Sequence, residues 1–324
     1  MRVPLALTAK NEERAIGACL ESVLEAVRVA ETRLPIRFDV QVVCDDCTDR
    51  TAEVARSFAR VRTVESHGGI VEAQRAAVRE APFLVFSDAD IRVEPGTLEA
   101  MCGAMLEEPR LQVAVPQKSP LPPSRRTLLA EALHAYNRTD GFQTPRRWFN
   151  GRFFAIRRWQ IPTLEELRPR LESMARDGFY NFHAGMKIDD IYLSRKAAIE
   201  HGPGAIREVA GGRIWFRPPE TFEGMYRTYR RMRMEIERLN LLFPETADAH
   251  ARWGVRGIDR KALRRASGRD RRLWRVFQMA LGLCRARYRA ERFYYRHLSR
   301  TPCPAWEPVV ESKLPIFGAS GSRA

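Results

Sequence analysis

Two rhythms of apolar residues alternate along the first third of the chain. Short apolar runs at residues 3–9, 38–44, 83–87 and 112–115 have the length and composition of buried strands, and the more polar 61–65 reads as a further strand. Between them apolar residues return every three or four positions, as in Ala15, Ile16, Cys19, Leu20, Val23, Leu24 and Val27, the spacing of a helix with one buried face. Asn11 and Thr48-Asp49 stand where helix caps are expected. Gly68-Gly69 turns the chain into a helix through Ala73, Ala76 and Ala77, and Pro95 opens another that runs to about Glu107. Repeated strand-then-helix units predict an α/β fold, a doubly wound and mainly parallel sheet flanked by helices. In such a sheet ligands bind beyond the carboxyl ends of the strands.

The pattern loosens after residue 116. A proline-rich loop at 119–123 leads to a helix near 126–138, an apparent strand at 151–156 and a helix at 191–199. From Thr221 onward the chain reads as helical and basic, with Leu273, Trp274, Phe277, Phe293, Tyr294 and Tyr295 set among closely spaced arginines. A Gly/Ser tail after Phe317 is expected to be disordered. The domain boundaries expected from these changes are 1–116, 117–240 and 241–324.

With 324 residues, 44% of them hydrophobic, the chain can bury a sizeable core. The formal charge of +15 favours an anionic partner: nucleic acid, a phosphorylated molecule or an acidic membrane surface. The basic residues gather in the C-terminal third without a zinc-finger, homeodomain or RNP motif, so no nucleic-acid partner is expected. The N-terminus lacks a signal-peptide pattern, and nothing approaches the roughly 18 apolar residues of a membrane span. The expected location is cytoplasmic, with peripheral attachment to the inner face of the membrane as the variant the basic helix suggests; the same helix equally suits packing on the catalytic domain with its arginines snorkelling to solvent. The six scattered cysteines fit reduced, buried thiols, and the single C-x-x-C of Cys44 and Cys47 carries no metal or redox assignment.

Carboxylates gather at the strand ends. Asp45 and Asp46 close the second strand, and Asp88-Ala89-Asp90 closes the fourth. A D-x-D pair so placed suits Mn²⁺ or Mg²⁺, which take one or two protein carboxylates and leave room for phosphate oxygens and water. Asp90 is the expected direct ligand and Asp88 its partner.

Taken together, "LTAKNEERAIGACLESVLE" (7–25), "VVCDDCTDRTAEVAR" (42–56), "GGIVEAQRAAV" (68–78) and "FLVFSDADIRVEPGTLEAM" (83–101) resemble the nucleotide-binding half of the family 2 glycosyltransferases. The resemblance implies a GT-A fold with a basic helical C-terminal extension, a nucleotide-sugar donor and a divalent metal. Residues 1–116 would be the donor-binding half and 117–240 the acceptor and catalytic-base half of one domain. Thr8, Ala9, Asn11 and Glu12 would wrap the nucleotide with Asp45, Asp46, Arg75 and Asp88, Asp45 standing where the family's uracil-contacting aspartate lies. "KIDDIYLSRKAAIEHG" (187–202) looks like the segment that supplies the base, with Asp190 in the base position and Asp189 beside it; both are also suited to capping the helix that follows. Arg230 and Arg233, in "RRMRM" (230–234), resemble the diphosphate-holding (Q/R)-x-x-R-W element, with Met234 in place of tryptophan, which argues against long-chain polymerisation. "CDDCTDRT" replaces the usual "DDGSTDGT", and Gln74-Arg75 replaces arginine-asparagine, so the donor's base and sugar stay open.

The resemblance therefore implies an inverting, metal-dependent transfer of a sugar, UDP-linked for preference, to a hydroxyl acceptor that is lipid-linked or membrane-proximal. The alternative is an inactive nucleotide-sugar or membrane-surface scaffold on the same fold.

Overall fold

The protein is described from a computed structural model over residues 1–144, 148–174, 177–180 and 189–304. The expected disordered tail and Lys187-Ile188 of the acidic segment lie outside the described residues. Eight strands, β1 (Arg2–Ala9), β2 (Arg37–Asp45), β3 (Arg62–Ser66), β4 (Leu84–Asp88), β5 (Ile91–Val93), β6 (Val113–Pro120), β7 (Phe153–Ile156) and β8 (Ile206–Phe216), form one sheet in the order β3-β2-β1-β4-β7-β6-β8-β5. Strands β3, β2, β1 and β4 are parallel neighbours, and β6 runs parallel to β8. β7 is antiparallel to β4 and β6, and β5 to β8.

The helices are α1 (Ile16–Arg33), α2 (Thr51–Arg56), α3 (Ile70–Ala77), α4 (Thr97–Glu107), α5 (Leu128–Arg138), α6 (Leu164–Met174), α7 (Asp189–His201), α8 (Phe222–Leu242), α9 (Ala247–Ala249), α10 (Arg260–Arg265) and α11 (Gly268–His297). Strand alternation divides the core between the two faces of the sheet. Val3, Leu5 and Leu7 of β1 pack with Ile16, Leu20 and Val23 of α1 and Met101 of α4, whereas Ala6, Val43, Phe86 and Phe154 face the opposite cluster with Leu133, Tyr192 and Leu239. Burial on both faces explains why β1, β2 and β4 read as largely apolar runs.

Two local expectations change, and one choice that the sequence leaves open is narrowed. Asn11 does not cap α1, which opens at Ala15 without a side-chain bond; instead Asn11 adopts φ 56° and its Oδ1 accepts from the Thr48 amide at 2.8 Å, tying the loop after β1 to the loop after β2. β8 was not anticipated, because Gly211-Gly212 and a register shift opposite Pro116 and Gln117 break its alternation. Finally, α11 is docked on the domain through Leu273, Phe277, Ala280, Cys284 and Tyr288, with Phe277 stacked on Tyr136 of α5 at 3.7 Å. No helix among the described residues is long and apolar enough to cross a membrane.

Candidate functional site

The strand order reverses between β1 and β4, which places Thr8 in register with Asp88 and makes this carboxyl edge the crevice expected to take a ligand. Asp45 ends β2 beside it, buried; its Oδ1 accepts from the Gly69 amide at 2.9 Å and its Oδ2 lies 3.4 Å from Lys10 Nζ. Gly69 holds φ 97°, a region open to glycine and strained for other residues, which lets its amide turn toward Asp45 at the start of α3. The Glu12 amide donates to Thr51 Oγ1 at 2.7 Å. The residues expected to wrap a nucleotide, Thr8 to Glu12 with Asp45, are thus brought to one edge. Asp46 is more exposed and contacts His67 Nδ1 at 2.6 Å.

Asp88 and Asp190 come from distant parts of the chain, and adjacent residues in the turn before β7 tie them together. The Gly151 amide donates to Asp190 Oδ2 at 2.9 Å, and the Arg152 carbonyl accepts from the Asp88 amide at 2.7 Å. The Arg152 guanidinium lies 3.6 Å from Asp88 Oδ2 and 3.8 Å from Asp90 Oδ1, braced against the Phe216 ring. Burial and then the charge of Asp90 push the Asp88 carboxyl well above the usual carboxylate range, opposed by Arg152 and Arg231. Arg231 of α8 feels both Asp88 and Asp190.

Asp189 and Asp190 divide the work of the α7 N-terminus. Asp189 is buried and accepts from Gln74 Nε2 at 2.5 Å, while Gln74 Oε1 accepts from Trp159 Nε1 at 2.8 Å. Asp190 faces the crevice and accepts from the Ile191 amide at 2.8 Å as well as from Gly151. Burial, and secondarily Asp190, raise the Asp189 carboxyl to about 7. A carboxyl raised in the fold is protonated in both states below its unfolded value of about 4. As pH rises from there to about 7, the unfolded chain ionises first and stability is lost. Asp189→Asn is therefore expected to melt several degrees above wild type at pH 8, with the gap closing toward pH 4. Coincident melting points at pH 8 would show that Asp189 ionises in the fold without penalty.

Gly151 offers a second test, because a Cβ there would sit 3.1 Å from Asp190 Cβ and 3.4 Å from its Cγ. Gly151→Ala must displace the carboxylate by a few tenths of an ångström, and turnover is sensitive to such shifts. A fall of about tenfold in kcat, at an unchanged melting temperature, is expected by steady-state assay; unchanged kcat would mean that the position of Asp190 is not critical.

Arg75, Arg230 and Arg233 are not brought to this crevice. Arg75 pairs with Glu72 at 3.1 Å and donates to the carbonyls of Ile161 and Pro162. Arg230 Nε donates to Glu291 at 2.6 Å and its Nη2 reaches Cys303 Sγ at 2.8 Å, and Arg233 pairs along its own helix with Glu237 at 3.0 Å. Arginine identity does not tell which residue of the 230–233 run points inward; the packing of α8 selects Arg231. Arg152, Lys10 and Gln74 were also passed over as site residues. Gln74 had a visible signal as a departure from the family pattern, and Arg152 lies in "NGRFFAIRR" (150–158), a segment that resembles the family's Gly-rich strand under the sugar and acceptor.

The chemistry of the donor set fits a divalent cation. Asp88 and Asp90 offer hard oxygen donors whose mutual repulsion a cation would relieve, and two protein carboxylates suffice for Mn²⁺ or Mg²⁺ that also holds phosphate oxygens and water. No group of three or more His, Cys, Asp or Glu suited to a metal occurs among the described residues.

The sequence profile of the family described as Glycosyl transferase family 2 matches residues 5–166, half of the chain. No curated protein matches the chain in sequence. Among solved structures, the chain is similar to mannosyl-3-phosphoglycerate synthase from Rubrobacter xylanophilus, with 17% identity, 74% of each chain covered and a TM-score of 0.45. It is similar to a mannosyltransferase from Pyrobaculum calidifontis in complex with GDP-Man and Mn²⁺, with 16% identity, 90% of this chain and 83% of that one covered, and a TM-score of 0.49. Glucosyl-3-phosphoglycerate synthase from Mycobacterium tuberculosis, in complex with Mn²⁺, UDP-glucose and phosphoglyceric acid, is 17% identical over 73% of this chain and 79% of that one, with a TM-score of 0.46.

Proposed function

The chain belongs to glycosyl transferase family 2, and we propose that it transfers a sugar from a UDP-linked donor to an acceptor hydroxyl with inversion. The observation that carries this reading is the junction at Gly151-Arg152, which holds Asp190 and Asp88 through adjacent residues. Inversion needs a single base on the side opposite the leaving group, and Asp190 is the carboxylate of the acidic pair that faces the crevice. Its two oxygens each accept a backbone amide, which fixes its direction and leaves lone pairs for the acceptor's proton. Asp189, gripped by Gln74, positions the start of α7.

Asp88 and Asp90 would hold Mn²⁺ or Mg²⁺, which supplies charge neutralisation at the departing diphosphate. Arg231 and Arg152 add fixed positive charge on the same side, in place of the Arg230 and Arg233 pair. Asp45 with Lys10, and the 8–12 loop fastened by Asn11, form the nucleoside end of the crevice. The acceptor is assigned to a membrane surface on a different observation: α11 leaves Met279, Leu283, Phe293 and Tyr294 exposed among its arginines, a pattern suited to lying on an anionic interface.

Proton NMR of the first sugar released when the protein and Mn²⁺ slowly hydrolyse α-linked UDP-sugars tests the stereochemistry without a known acceptor. The β-anomer is expected to appear first, and early α-anomer would overturn inversion.

A further inference from the structure

On the side of α8 turned away from the carboxylates lies a cleft of about 410 Å³ between α8 and α11. Arg233 stands two residues beyond Arg231, about 200° further round the helix, so cleft and crevice occupy different faces. Arg233 comes from α8, and Arg285, Arg289 and Arg292 come from α11. The one carboxylate lining the cleft is Glu237. It already accepts from the Tyr288 hydroxyl at 2.8 Å, from the Tyr180 hydroxyl, from Arg233 at 3.0 Å and from Arg292 at 3.4 Å.

Arg285 and Arg289, one turn apart, meet no carboxylate among the described residues. Like charges at that spacing repel, and Glu237, the carboxylate in the lining, is already shared by four donors. A solvated basic face would fan its arginines over a convex surface; here exposed arginines from two helices line one open cleft, where like charges on facing walls add their fields. Guanidinium forks match the paired oxygens of a phosphate group.

We propose that this cleft is a second anion site that binds a phosphate group, with Arg285 and Arg289 as its principal donors and Arg233, Arg292 and Tyr229 completing it. It is independent of the donor chemistry at Asp88 and Asp90. The phosphate arrives either on a soluble ester or as the headgroup of an anionic lipid, since Phe293, 58% exposed, lies one turn beyond Arg289.

The test is calorimetric titration of the full chain with inorganic pyrophosphate in EDTA, which leaves no divalent cation to recruit it to Asp88 and Asp90. Saturable binding is expected, weakened at least tenfold in Arg285→Gln/Arg289→Gln. It should be unchanged in Arg265→Gln/Arg272→Gln, which removes the same charge from exposed positions outside the cleft. Flotation with vesicles of phosphatidic acid in phosphatidylcholine then distinguishes the source. Vesicle binding that pyrophosphate displaces, and that the cleft variant loses, supports the site with a lipid headgroup as ligand. Pyrophosphate binding without flotation supports it with a soluble ligand. Equal losses in both variants, or no binding of either probe, overturns the proposal.

Discussion

Asp190→Asn is expected to bind donor as wild type does and to lose between about 10² and 10⁴ in turnover, the range over which a positioned general base contributes. The amide cannot accept the acceptor's proton, yet it preserves size and one of the two backbone hydrogen bonds that fix the side chain. Asp189→Asn removes a carboxylate one residue away that is buried against Gln74, and it should leave far more activity. Single-turnover rates at saturating donor separate the two. A wild-type rate in Asp190→Asn would remove the base assignment, while equal losses in both variants would mean that the pair works only as a helix start.

Asp90→Ala is expected to abolish the metal-dependent part of nucleotide affinity, a loss of tenfold or more by calorimetry in Mn²⁺. The same substitution should not destabilise the fold. Asp90 is one of the charges that push the Asp88 carboxyl upward, so its removal relieves a repulsion and the melting temperature should hold or rise. That combination separates a ligand from a structural acid: loss of binding together with a large drop in melting temperature would mark Asp90 as part of the scaffold.

The first part of the fold, residues 1–116, was legible because β1, β2 and β4 are buried on both faces, so that they read as apolar runs ended by the residues of the crevice. Legibility failed where geometry rather than pattern decides. β8 hides behind Gly211-Gly212 and its register shift. Asn11 looks like a cap from its neighbours in sequence, yet its partner, Thr48, is thirty-seven residues away. Within Arg230-Arg231-Met232-Arg233 no residue type says which guanidinium turns inward; helix rotation and the competing acids Glu291 and Glu237 decide it. Gln74 shows the reverse case, a visible departure whose role as the link between Trp159 and Asp189 appears only when β7 and α7 are in place.

The most direct measurement is titration of the wild-type protein with UDP in Mn²⁺ and again in EDTA. A donor site built on Asp88 and Asp90 predicts binding at least tenfold tighter with the metal. Equal affinity in the two conditions, or no binding of UDP, GDP or dTDP, would contradict it.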